Sequence, residues 1–161
     1  MNVLQNFKNV RHFVFDIDGV LTNSQLLINS DGMLLRSMHI KDGYAMQLAI
    51  KQGYSISIIS GAKGDHLLSR FHHLGIQDIH LGVDDKLPVF TSLALDPSTC
   101  LYMGDDMPDV SILKQVYLPC CPSDAVEEVK QIASYVSPYQ GGMGCVRDVI
   151  EKVLKLNKHW K

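Results

Sequence analysis

Four short apolar runs in this 161-residue chain each end in residues able to do chemistry. Residues 12–17 (HFVFDI) carry Asp16-x-Asp18-Gly19, and residues 54–59 (YSISII) lead into Ser60-Gly61. The run at 79–81 is followed by Asp84-Asp85-Lys86, and the run at 100–103 by Gly104-Asp105-Asp106-x-x-Asp109. Carboxylates gathered at one place repel one another unless a cation sits among them. Mg²⁺ suits such a set, since it takes oxygen ligands and binds through one or two carboxylates plus phosphate and water. A carboxylate can also attack phosphorus, splitting one hard displacement into two easier ones. A second acid must then protonate the leaving oxygen and later deprotonate water. Asp16 and Asp18, two residues apart, supply that pair. A carboxylate nucleophile, a lysine and a metal together match phosphoryl transfer, where catalysis is mostly positioning and charge stabilisation.

Each residue also has a plainer reading. An aspartate after a strand is often a turn former or helix cap, which fits Asp65, Asp78, Asp96 and Asp124; Asp31 belongs to a hairpin. Ser60 alone would be a helix cap and Lys86 alone a solvated charge. Asp16 is different, because it lies inside an apolar run.

The elements that must position these residues alternate short apolar runs with amphipathic segments, the pattern of a parallel α/β sheet. Strands are expected at 12–17, 54–59, 79–81, 100–103 and 117–120. Helices are expected at 42–52, 65–74, 85–95, 109–115, 124–133 and 145–156. Ser30-Asp31-Gly32 between runs at 25–28 and 33–40 signals a β-hairpin. The expected fold is α/β, a Rossmann-like three-layer arrangement around a mainly parallel sheet, with a protruding hairpin. In an open parallel sheet, ligands bind outside the carboxyl ends of the strands, so the four polar strand ends converge on one crevice. No repeat or linker interrupts the pattern, so residues 1–161 read as one domain.

Composition narrows the rest. A net charge of −2 leaves no basic footprint for nucleic acid. No apolar run approaches the roughly 20 residues of a membrane helix, and residues 1–11 lack a signal-peptide pattern; a cytoplasmic location is expected. Cys100, Cys120, Cys121 and Cys145 form no C-x-x-C and read as buried thiols. The seven histidines show no zinc-ligand spacing.

The ordered set FDIDGVLT (15–22), IISG (58–61), Lys86 and MGDDMPD (103–109) resembles the four motifs of haloacid dehalogenase-superfamily phosphatases. Within that superfamily the chain is similar to the 3-deoxy-D-manno-octulosonate 8-phosphate phosphatases. The shared segments are Arg36 to Gly43, Arg70 to Ile76 and Gly141 to Arg147, and the resemblance runs from about residue 10 to 155. It implies Asp16 as nucleophile and Mg²⁺ ligand, and Asp18 as general acid/base giving its backbone carbonyl to the metal. Asp105 is the implied third ligand, with Asp106 and Asp109 supporting. Ser60 and Lys86 would hold the phosphoryl oxygens, and Gly61, Arg70 and Arg147 are implied substrate contacts, Arg147 having a structural ion pair as its other reading. Two places depart from the family: Ala62 stands where arginine is common, or glutamate in phosphatases of nine-carbon sugar acids, and Asn23-Ser24 replaces an Asp-Gly step.

The intervals between motifs leave no room for a cap domain. The resemblance implies a homotetramer in which neighbouring subunits close the sites, and Leu26, Leu27, Ile28, Met33, Leu34 and Leu35 would otherwise form an exposed patch. The glycine-rich loop at 141–144 is either a flexible lead into the last helix or a segment reaching the adjacent site. Other readings are a phosphatase of nine-carbon or general sugar phosphates, and a catalytically silent binding subunit. A receiver domain fits poorly, because its phospho-accepting aspartate ends the third strand and the D-x-D here ends the first.

Overall fold

The computed structural model describes residues 3–160; Met1, Asn2 and Lys161, the ends of the expected single domain, lie outside it. The chain opens with a short helix, α1 (Val3–Asn6), and a 3-10 turn at Phe7–Asn9. There follow β1 (His12–Phe15), the hairpin strands β2 (Leu27–Ile28) and β3 (Leu34–Leu35), α2 (Ile40–Lys51), β4 (Ser55–Ile59) and α3 (Asp65–His73). The second half comprises β5 (Asp78–His80), α4 (Lys86–Ser92), β6 (Cys100–Met103), α5 (Val110–Leu113), β7 (Leu118–Cys121), α6 (Glu127–Ile132), β8 (Tyr135–Val136) and α7 (Cys145–Leu156).

Six strands form one sheet in the order β5-β4-β1-β6-β7-β8, and every pairing is parallel. Strand β1 is central, with Phe15 level with Ile58 of β4 and Met103 of β6. The chain runs outward from β1 through β4 and β5, then crosses to β6 on the other side. That reversal places the topological switch point, where open α/β sheets bind ligands, at the carboxyl ends of β1 and β6.

Alternation along the buried strands feeds two cores. Phe13, Phe15, Ile56, Ile58, Leu101 and Met103 pack with Met46, Phe71 and Ile150 of α2, α3 and α7. Val14, Ile59, Tyr102 and Cys121 pack with Phe90, Ile112 and Val129 of α4, α5 and α6. The result is the expected three-layer α/β fold, with helices on both faces of the sheet. All four cysteines are free and buried. Among the described residues no helix is long and apolar enough to cross a membrane.

Several expectations need correcting. The hairpin pairs only two residues per strand, because β2 and β3 are exposed and pack under no second layer. Its turn is organised by Asn29, whose Oδ1 accepts from the Asp31 and Met33 N–H groups, rather than by Asp31. Asp78 lies within β5, accepting from the Ser57 hydroxyl and pairing with His80. Asp124 caps no helix; its carboxylate accepts from the Gly141 N–H at 2.9 Å. Asp96 does cap a 3-10 turn through the Ser98 N–H. The edge strand β8 and the helix α1 were not anticipated.

Helix α7 takes its N-terminal support from another helix. Gly144 precedes it with φ +104° and offers no side chain. Asp42, buried in the first turn of α2, accepts instead from the Arg147 N–H at 2.7 Å. Helix N-termini leave unpaired N–H groups that such acceptors satisfy. Asp42→Ala is expected to lower stability to urea by about 1–2 kcal/mol, the usual loss of a helix cap. Asp42→Asn, which keeps the acceptor, should lose less; equal losses would show that the bond contributes little.

Candidate active site

The first carboxylate stands where β1 stops. Asp16 is extended (φ −74°, ψ 166°) and its Oδ1 accepts from the next N–H, of Ile17, at 2.7 Å. The chain then makes a wide turn over Ile17–Leu21, closed by the Thr22 N–H on the Ile17 carbonyl at 3.0 Å. Gly19 sits in it with φ +89°, and a Cβ there would overlap the Asp105 carboxylate. Glycine is thus required twice at this point, for the backbone conformation and for the approach of the acid from β6.

On the far side of the turn, Gly141 and Gly142 press against the backbone of Gly19, Thr22 and Asn23, leaving no space for a Cβ at either. The Gly142 N–H donates to the Val20 carbonyl at 2.9 Å, and the Cys145 thiol reaches the same oxygen. The glycine-rich loop is therefore a brace on the Asp16–Thr22 turn of its own chain, and not merely a flexible lead.

Beyond β6, Asp109 is enclosed by four donors. Its Oδ1 accepts from Lys86 Nζ at 2.7 Å and from the Tyr102 hydroxyl at 2.5 Å. Its Oδ2 accepts from the N–H groups of Asp105 and Asp106 at 2.9 and 3.3 Å. Lys86 Nζ also lies 3.0 Å from Asp16 Oδ1. Only 5 % of Lys86 and 1 % of Asp109 are exposed, and two of the ammonium's three donors face these acids, which leaves one for a ligand. Ser60, buried after β4, lines the same open cleft of about 430 Å³ with Asp16, Asp18, Gly61, Lys86 and Asp105.

Carboxylate oxygens of Asp16, Asp105 and Asp109 lie within 4.8 Å of one another. Burial, reinforced by Asp109 and opposed by Lys86, pushes the Asp16 carboxyl up to about 6. Burial, with Asp16 and then Asp109 as neighbours, pushes that of Asp105 up to about 8. A site that holds protons this tightly lacks positive charge. Asp109 has its acceptor capacity taken, so Asp16 and Asp105 remain to ligate an oxygen-seeking divalent cation, and their donor chemistry fits one.

The cleft thus assembles Asp16, Asp18, Ser60, Gly61, Lys86 and Asp105. It does not include Arg70 or Arg147. Arg70 lies beside Met38, Ile40 and Leu67, and Arg147 lines a larger cleft of about 620 Å³ along α7. There its Nε binds Glu151 at 2.9 Å and its guanidinium lies over Trp160. The Asp18 side chain stands apart from the carboxylate cluster, both oxygens held by Arg36. Tyr102 escaped the sequence reading, and Arg36 entered it only as the first residue of a shared segment, without a role. A tyrosine inside the buried run CLYM was a usable signal, since a buried phenol needs a partner.

The raised carboxyl pKa values fix a sign. Groups whose pKa is higher folded than unfolded stabilise the fold at low pH and lose that contribution as pH rises through the folded value. For Asp16 and Asp105 the loss in metal-free protein begins near the ordinary aspartate value of 3.8 and ends at about 6 and about 8 respectively. Mg²⁺ should therefore raise the melting temperature more at pH 8 than at pH 5.5. Asp105→Asn should abolish most of that difference, as thermal scans with and without EDTA will show; an equal Mg²⁺ effect at both pH values would contradict it.

Comparisons with known proteins point to one family. Residues 88–149 match the haloacid dehalogenase-like hydrolase family model. The 3-deoxy-D-manno-octulosonate 8-phosphate phosphatases of Yersinia pestis and Escherichia coli K12 are each 31 % identical over 157 residues, covering 95 % of this chain and 84 % of theirs. A crystal structure of the Moraxella catarrhalis phosphatase of that name, in complex with magnesium ion, phosphate ion and Kdo, superposes with a TM-score of 0.90 at 30 % identity. It covers 96 % of this chain and 91 % of that one. The Yersinia pestis enzyme's structure gives 0.92 at 30 %, over 98 % and 87 %. With similarity sustained across nearly the whole of both chains, the protein belongs to the 3-deoxy-D-manno-octulosonate 8-phosphate phosphatase family of haloacid dehalogenase-like hydrolases and is a phosphatase.

Proposed function

We propose that the chain, working as a single phosphatase domain, hydrolyses a sugar-acid phosphate through an aspartyl-phosphate on Asp16, with 3-deoxy-D-manno-octulosonate 8-phosphate as substrate. The observation that carries this is the buried Asp16 carboxylate, 3.0 Å from Lys86 and beside Asp105 at the switch point. Asp16 attacks phosphorus as the ester P–O bond breaks, and the departing alkoxide takes a proton from Asp18, whose carboxylate, paired with Arg36 before substrate binds, must first take that proton from water as the ester enters. Asp18 then takes a proton from water, which attacks the same phosphorus and releases phosphate and free Asp16. Lys86, Ser60 and Gly61 hold the phosphoryl oxygens. Asp16, Asp105 and the Asp18 backbone carbonyl would hold Mg²⁺, whose charge lets an anionic nucleophile meet an anionic substrate.

The sugar assignment rests on the relatives' names and not on a side chain at position 62, where Ala62 is buried and reads nothing. The free sugar acid would enter lipopolysaccharide precursor synthesis in the cytoplasm. Leu27 and Ile28 are each 67 % exposed, and with Leu34 and Leu35 they present an apolar ribbon that a neighbouring subunit of a homotetramer would cover. Such a neighbour would also bring Arg70 or Arg147 to a cleft that neither reaches in its own chain.

Phosphate release should require Mg²⁺ and fall at least about a thousandfold in Asp16→Asn, as expected when a nucleophile is removed. Among eight- and nine-carbon 3-deoxy-sugar acid phosphates and hexose phosphates, the eight-carbon ester should have the highest kcat/KM. Equal rates across the panel would overturn the sugar assignment, and no release from any member would favour a binding subunit. In sedimentation at micromolar concentration the chain should run as a tetramer and Leu27→Glu/Ile28→Glu as a smaller species. A monomeric parent protein would overturn the assembly.

A further inference from the structure

Arg36 follows β3 on the hairpin, outside the central sheet, yet its guanidinium reaches the catalytic turn. Nε donates to Asp18 Oδ1 at 2.7 Å and Nη2 to Oδ2 at 3.0 Å, a two-pronged pairing of fixed geometry. The arginine side chain is 5 % exposed, against 38 % for Asp18. Its remaining nitrogen, Nη1, is buried with no partner among the described residues, so Asp18 is the acceptor for all of its hydrogen bonds. Asp18 itself has non-helical angles (φ −73°, ψ 117°) beside Gly19, and its other side-chain contact is a 3.4 Å approach from the Thr22 hydroxyl. Lys86 pairs with Asp16 and Asp109 and holds no part of Asp18.

The two acids are thus oriented by separate cations from separate elements. Lys86, from the start of α4, fixes Asp16; Arg36, from the hairpin, fixes Asp18. A general acid/base depends on placement within hydrogen-bond reach of the proton it moves, and a half-exposed carboxylate on a turn has several rotamers open to it. A bidentate guanidinium selects one. Lysine could not do the same, since an ammonium is a point charge without a fork.

We propose that Arg36 is a positioning residue for the reaction: it sets the orientation of Asp18, and it makes that orientation depend on how the hairpin is seated. The inference rests on the reading of Asp16 as nucleophile and Asp18 as acid/base. It assigns Arg36 no contact with substrate.

The test uses the full chain with Mg²⁺ and two phosphate esters. A sugar phosphate expels an alkoxide that needs a proton; 4-nitrophenyl phosphate expels an anion that leaves without one. In Arg36→Met, kcat for the sugar phosphate should fall by about 10- to 100-fold, up to the lower end of what acid/base catalysis supplies, with KM within about twofold of the parent. With 4-nitrophenyl phosphate the first turnover should keep close to the parent rate and be followed by a slower steady state. The reason is that the first step needs no acid while release of phosphate still needs the base. Arg36→Lys should give intermediate losses, and carries the test if circular dichroism shows Arg36→Met unfolded. A raised KM with unchanged kcat would make Arg36 a substrate contact and overturn the proposal. So would equal slowing of the first turnover of both esters, or no change in either. If Asp16→Asn retains activity, the reading beneath the proposal fails; if Asp16 is essential and the leaving-group response is unaltered in both Arg36 variants, the proposal fails alone.

Discussion

Lys86 Nζ lies between two carboxylates, 2.7 Å from Asp109 and 3.0 Å from Asp16, with almost no exposure to water. A lysine in such a place loses most of its hydration, and one partner would not repay that loss. Two acids do, and they raise its pKa although burial alone would lower it. The same arrangement leaves Asp105 with too little compensation, since Asp16, Asp105 and Asp109 share one lysine. The rest of this sheet edge follows from that imbalance. Asp109 must be satisfied by Tyr102 and by the Asp105 and Asp106 N–H groups before it can hold Lys86. Asp105 must in turn lie tight against Gly19. Charge is left short where a cation and a phosphoryl group would supply and use it.

The sheet serves this edge by bringing β1 and β6 side by side from distant parts of the chain. Their register aligns Phe15 with Met103, so Asp16 and the Gly104–Asp105 step leave the sheet at the same level. Strand β4 adds Ser60 one position further out. The layers on either face give these strand ends a rigid base, and rigid placement is what phosphoryl transfer chiefly asks of a protein.

Much of this was legible in the sequence because the signals were local. Cys100–Met103 and Cys145–Leu156 end where composition says they should, the first at a glycine and acids, the second with strong amphipathic spacing. Asp16 stood out because an acid inside an apolar run has few structural uses. What stayed hidden depends on pairs remote in sequence. Asp124 looks like a cap until Gly141, 17 residues away, is seen on its carboxylate. Asp42 looks like an ordinary first-turn acid, yet it serves a helix 105 residues later. Strand β8 is two residues long and carries no periodicity to detect. The hairpin was overextended because alternation predicts a strand whether or not a second layer exists to bury it. Arg36 opened a segment shared with the family but had no role until its partner, 18 residues away, was placed.

The contact of Gly141 and Gly142 with the turn at Gly19–Asn23 has a consequence for the order of events in the cell. Every acid, the serine and the lysine of the cleft are translated before residue 110, but the support for the Asp16–Thr22 turn comes from residues 141–145. A nascent chain still holding its last helix in the ribosome therefore has the chemistry of the site without its shape. A cut before residue 141 would take away the Gly141–Gly142 support of this turn while leaving every side chain of the cleft in the chain.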